Sequence, residues 1–178
     1  ANKIISFEPS EGKGSSDDSY DKSNTFISQI DRKNISLIKK DFMKNDIPNH
    51  SIDIVFAINS IHHIIEINNN KDNLIGIIDR MVLVFEEFNR ILKKNGKIII
   101  WDSSRNCFWR YLPKSRMENI DWYLHPNLQE WKNAINALNF SYKINYTVPY
   151  KLRKINFLID NYFVNFLYNA TFKMTITK

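Results

Sequence analysis

Ile52-Asp53-Ile54-Val55-Phe56-Ala57-Ile58-Asn59-Ser60-Ile61-His62-His63-Ile64 is the stretch whose reading decides the fold. Ile54 to Ile58 form a continuous apolar run, the pattern of a strand buried on both faces rather than a half-exposed alternating one. Polar groups enter only at its carboxyl end, with Asn59, Ser60, His62 and His63. In open parallel α/β sheets, ligands sit at the carboxyl ends of the strands. A site is therefore expected at this end.

Downstream, Ile75, Ile78, Met81, Val82, Phe85, Phe88, Ile91 and Leu92 recur at three- and four-residue steps. That spacing predicts a helix over 73–94, capped by Asp72 and closed by a left-handed residue at Asn95-Gly96. Lys97 to Trp101 reads as the next strand. Helix, stop and apolar run form half of a βαβ crossover, which favours a parallel sheet. Upstream, Lys3 to Phe7 and Ile35 to Lys39 read as strands, the first ending in Glu8-Pro9 and the second in Asp41-Phe42. Between them lies a loop over 11–23, then a short helix over 25–30. Gly12-Lys13-Gly14 completes neither a dinucleotide nor a Walker fingerprint.

Past Trp101, residues 102–126 are irregular and rich in Arg, Trp and Tyr, as a lid-like insertion over the site would be. A helix is expected over 127–138, a strand over 142–148 and a buried helix over 155–168. Residues 171–177 alternate strictly and read as a final edge-type strand.

At 178 residues, with 43% hydrophobic and 25% charged residues, the chain reads as one domain over 1–178. No apolar run approaches the ~20 residues of a membrane span. The single cysteine, Cys107, excludes an internal disulfide and a cysteine-based zinc site, and fits a cytoplasmic, reducing setting. The net charge of +6 is spread along the chain. A nucleic-acid footprint would need a concentrated stripe. The adjacent His62 and His63 are expected to point their rings apart, and with no third ligand evident no metal site is expected.

The order of motifs carries a family likeness. Asp41, Ile47-Pro48, Ser51-Ile52-Asp53-Ile54-Val55, Ile61-His62-His63 and Glu87-x-x-Arg90-x-Leu92-Lys93-Lys94-Asn95-Gly96 together resemble class I S-adenosylmethionine-dependent methyltransferases. Trp131 to Phe140 resembles the late helix of that family, with Asn139 for its usual Gly. The resemblance implies a Rossmann-like, mostly parallel α/β sheet with helices on both faces and an antiparallel last strand. The implied strand order is 3-2-1-4-5-7-6. The Gly-x-Gly-x-Gly loop after the family's first strand has no counterpart, and Lys3 to Glu8 resembles the second strand instead. A central gap would leave backbone groups unpaired at about 1–3 kcal/mol each. The expectation is therefore a fragment of a longer protein, helped by the start at Ala1 rather than Met.

The resemblance also implies site residues. Glu8 would accept hydrogen bonds from ribose hydroxyls, as an acceptor-only carboxylate can. Asp41 and Phe42 would hold the adenine, and Ala57 and Asn59 would line the path of the methionine portion of S-adenosylmethionine. His62 or His63 would deprotonate an acceptor, since imidazole titrates near neutrality. Arg105, Trp109, Arg110, Arg116 and Trp122 suggest a small-molecule acceptor of anionic or sugar-like character. The implied activity is methyl transfer. Its rivals are a non-catalytic binding or scaffold domain of the same fold, and an RNA methyltransferase recognisable by steep salt dependence.

Overall fold

The computed structural model describes residues 3–9, 18–30, 33–67, 76–111, 125–146, 160–168 and 170–178. In chain order these form β1 (Ile4–Phe7), α1 (Ser19–Gln29), β2 (Ile35–Ile38), β3 (Ile52–Ile58), α2 (Ile61–Ile67), α3 (Ile77–Ile91), β4 (Leu92–Ser103), α4 (Leu128–Ala137), β5 (Ser141–Tyr146), α5 (Tyr162–Tyr168) and β6 (Thr171–Thr177). Short 3-10 turns lie at Phe42–Lys44 and Phe108–Tyr111. The Gly12-Lys13-Gly14 loop, the proposed Asp72 cap, Arg116 and Trp122 lie outside the described residues, as does the Trp109 side chain. No helix among those described is long and apolar enough to cross a membrane.

The strands fall into two sheets. β1 and β2 pair in parallel; β3, β4, β6 and β5 form the second sheet in that order. β3 and β4 run parallel, and β6 is antiparallel to both of its neighbours. This is the mixed α/β architecture expected, and the sheets part between β1 and β3, where the likeness has no counterpart for the family's first strand.

Two expectations are corrected. β3 is not buried on both faces: Ile54, Phe56 and Ile58 are 48%, 65% and 59% exposed. Alternate residues of a strand face opposite sides, and only the side of Val55 and Ala57 meets the core. β6 is not an edge strand, since it lies between β4 and β5. Its alternation has another cause. Phe172, Met174 and Ile176 are buried against the core, while Lys173 is exposed on the opposite face.

The core lies between the sheet and α3 with α4. Met81, Val84, Phe85, Phe88 and Ile91 of α3 are buried, as are Leu128, Trp131, Ala134 and Ile135 of α4. They meet Ile98 and Ile100 of β4 and the buried side of β6. α4 starts where its sequence dictates. Asn127 accepts from the backbone N–H groups of Gln129 and Glu130, and Glu130 accepts in return from the Asn127 N–H, forming a capping box.

α3 stops earlier than its apolar period implies. Leu92 turns extended and pairs with Ile52, so burial in the sheet outcompetes one more helical turn. Lys93 to Gly96 then bulge opposite Asp53 before Lys97 pairs with Ile54. Asn95 takes the left-handed backbone, at φ 66°, which asparagine tolerates better than most residues. Gly96 is needed for closeness rather than for handedness. A Cβ there would lie 2.9 Å from the Lys93 carbonyl oxygen and 3.3 Å from that of Asp53.

Candidate functional site

Parallel pairing points the carboxyl ends of β1 and β2 the same way, and likewise those of β3 and β4. A polar or acidic residue lies at or just past the end of each of these strands. After β1 comes Glu8, whose backbone N–H donates to the Ile38 carbonyl at 3.0 Å. After β2 comes Asp41, which is buried. One of its carboxylate oxygens accepts from the Met43 N–H at 2.9 Å and so caps the 3-10 turn. The other, Oδ2, is buried without a hydrogen-bond partner. A buried acceptor left empty costs about 1–3 kcal/mol, so this oxygen is a place where a donor from a ligand would be favourable. The Phe42 ring is packed against Phe7 and Phe88, with centroids 5.6 and 5.1 Å away; much of its apolar surface is already used in packing.

β3 ends in Asn59, whose φ of 46° bends the chain sharply into α2. Its N–H donates to the Trp101 carbonyl at 2.7 Å, extending the β3–β4 ladder by one bond, and its side chain is exposed. Ala57, shortly before it on β3, is buried in the core. β4 carries Asp102 near its end, with no exposed surface.

The first turn of α2 places two imidazoles over these ends. His62 Nδ1 lies 3.1 and 3.2 Å from the two Asp102 oxygens. His125 Nδ1 is 3.8 Å from Asp102 Oδ1. The three rings stack in series, with His63 and His125 each 4.0 Å from His62. Adjacency does not splay the histidine pair, because the helical turn leaves both rings free to tilt against one another.

The electrostatics follow from this crowding. Burial lowers the His63 pKa from 6.5 to about 4; His62 and His125 push it the same way, while Asp102 and Glu8 oppose them. Burial alone would raise the Asp102 carboxyl, but the His125 and His62 imidazoles and the Ser103 N–H hold it below its ordinary value.

Two members of this cluster are absent from the sequence-derived site. Asp102 carried a signal, since an acid at the tip of a core strand repeats the placement of Asp41. His125 carried none, because only folding brings it beside His62. Arg105, expected to face an acceptor, is instead an ion-pair partner of Glu130 and donates to the His125 carbonyl at 3.3 Å. It fixes the start of α4 and the backbone of His125. Arg110 lies against the Arg105 carbonyl.

Residues 17–100 match a family described as a methyltransferase domain. No curated protein matches the chain in sequence. Among solved structures, a SAM-dependent methyltransferase from Aquifex aeolicus is similar at a TM-score of 0.58 and 11% identity, over 98% of this chain and 68% of that one. An S-adenosylmethionine-dependent methyltransferase from Mesorhizobium loti is similar at 0.59 and 12%, over 100% and 81%. The plantazolicin methyltransferase BpumL, solved with a desmethylPZN analog and SAH, is similar at 0.60 and 12%, over 99% and 67%. Identities this low speak for the fold, and the domain match is consistent with it. The chain thus has the fold of the class I S-adenosylmethionine-dependent methyltransferases, with a methyltransferase-domain match over residues 17–100.

Proposed function

We propose that this chain binds S-adenosylmethionine across the tips of β1, β2 and β3 and directs methyl transfer to a small-molecule or sugar-containing acceptor. The observation that carries the reading is the buried, unpartnered Asp41 Oδ2. Glu8 follows the strand paired to β2, and Asn59 follows β3. Glu8 would accept from the ribose hydroxyls and Asp41 from the adenine amino group, with the free part of Phe42 beside the ring, and with the backbone of Ala57 and the Asn59 side chain beside the amino-acid portion. When bound, the cofactor supplies an electrophilic methyl group on a sulfonium.

The protein's own part is placement. Holding an acceptor in line supplies most of the effect in such a transfer, through proximity and orientation. His63 is neutral at pH 7, with its pKa lowered to about 4 by burial. So low a value makes it a weak general base, since an efficient one titrates near the working pH. We assign it the task of accepting a hydrogen bond from the acceptor and orienting it. His62 is buried and turned to Asp102, away from that task.

Asp41→Asn tests the reading. Asparagine keeps an oxygen for the Met43 N–H but replaces the empty acceptor with a donor. Affinity for S-adenosylhomocysteine, measured by titration calorimetry, is expected to fall about 10- to 100-fold, the worth of a hydrogen bond to a charged group. The melting temperature is expected to hold nearly steady. Unchanged affinity would remove Asp41 from the site. A second reading is a non-catalytic binding domain of this fold, favoured by the break between β1 and β3. Wild-type protein that takes up no S-adenosylhomocysteine would establish that reading instead.

A further inference from the structure

His62, Asp102 and His125 come from three separate places: the first turn of α2, the end of β4 and the segment leading into α4. One ligating atom from each lies within 4.8 Å of the other two. We infer that these three side chains form a binding site for a divalent transition-metal ion such as zinc.

Two imidazoles and one carboxylate are the donor set of catalytic zinc and non-haem iron(II) sites, which keep further positions open for water or a ligand. Hard ions such as magnesium and calcium prefer oxygen alone, so they are disfavoured here. An ion about 2.0–2.2 Å from each donor, in tetrahedral geometry, sets neighbouring donors roughly 3.3–3.6 Å apart. The 3.1 Å from His62 Nδ1 to Asp102 Oδ1 and the 3.8 Å from His125 Nδ1 bracket that range. Admitting the ion requires the His62 and His125 rings, 4.0 Å apart, to spread.

The surroundings suit the purpose. Asp102 is wholly buried and His62 nearly so, and a buried carboxylate gains from a compensating cation. The Ser103 N–H donates to Asp102 Oδ1 at 2.7 Å and fixes the carboxylate, as orienting bonds do around metal ligands. Arg105 donates to the His125 carbonyl and holds that residue in place. The His125 side chain is 14% exposed, which leaves an approach from solvent.

The test is calorimetric titration of the chain with zinc chloride, paired with cobalt(II) absorption, which reports a four-coordinate nitrogen and oxygen site directly. Wild type is expected to bind one ion and to melt at a higher temperature with zinc than without it. His125→Ala is expected to weaken binding at least about tenfold, as losses around metal sites do, and to abolish the zinc-dependent rise in melting temperature. His62→Ala and Asp102→Asn should do the same where they fold. His125→Ala carries the test if they do not, since its side chain is the least buried of the three. His50 is remote from the cluster and bonds to the Leu92 carbonyl, so His50→Ala should leave binding unchanged. No zinc binding by wild type, or binding that survives both His62→Ala and His125→Ala, would overturn the inference and leave a purely hydrogen-bonded cluster. S-adenosylhomocysteine binding is a separate measurement, and its presence or absence does not depend on whether zinc binds.

Discussion

Replacing Trp131 with alanine is expected to cost about 3–5 kcal/mol, a large part of the roughly 5–15 kcal/mol that holds a domain folded. Trp131 is wholly buried on α4. Its ring stands edge-on to Phe85 of α3 at 6.2 Å and to Phe172 of β6 at 5.6 Å. One side chain thus joins two helices to the sheet. Its indole N–H, however, is buried without an acceptor, which costs about 1–3 kcal/mol. Trp131→Phe removes that donor and keeps an aromatic ring between Phe85 and Phe172. Its cost is expected to be about 1 kcal/mol, the small cavity being offset by the lost orphan. Urea unfolding followed by circular dichroism separates the two variants. A phenylalanine variant as unstable as the alanine variant would show that the whole indole is required here and that removing its N–H brings no gain.

The second large effect is expected at Arg90. Its guanidinium donates to both Glu87 oxygens, to the Ile47 carbonyl at 2.7 Å, and to Asn49 and Asn45 at 2.6 and 3.2 Å. Asn45 also donates to Glu87 at 2.6 Å. The end of α3 is thereby tied to the segment that follows the Asp41 turn. Arg90→Met keeps much of the apolar stem and removes every bond that the guanidinium donates. The side chains of Arg90 and Glu87 are 34% and 17% exposed, so solvent screens the pair and the loss is expected at about 1–2 kcal/mol, short of that for a buried pair.

The same pair predicts an acid dependence. Hydrogen bonding from Arg90 holds the Glu87 carboxyl below its ordinary 4.5, against the upward push of burial and with help from Asn45. A carboxyl whose pKa is depressed by folding stabilises the protein above its unfolded value. That stabilisation is lost as pH falls through the folded value. Wild type should therefore lose this part of its stability below pH 4.5, whereas Arg90→Met, left with only the Asn45 bond to Glu87, has less of it to lose. The gap between their urea midpoints should narrow between pH 7 and about pH 3. A gap that stays constant with pH would mean that the ion pair contributes little and the loss is one of packing.

The sequence alone determined roughly where the strands lie and that β3 and β4 run parallel. Each of β1 to β6 falls on an apolar or alternating run readable within a few residues, because burial against one core face imposes its period locally. The parallel direction of β3 and β4 followed from the helix between them. So the positions of Glu8, Asp41 and Asn59 just past the ends of β1, β2 and β3 were legible one by one. Tertiary structure decided the rest. Whether Phe56 is buried depends on what lies beside β3, which no local pattern encodes. α3 ends at Ile91 because pairing of Leu92 with Ile52 wins over helical continuation. Arg105 is spent on Glu130, and His125 meets Asp102 and His62, only because α4 folds back against the sheet. Side chains distant in sequence converge by packing, and that convergence, unlike periodicity, leaves no mark on any one segment.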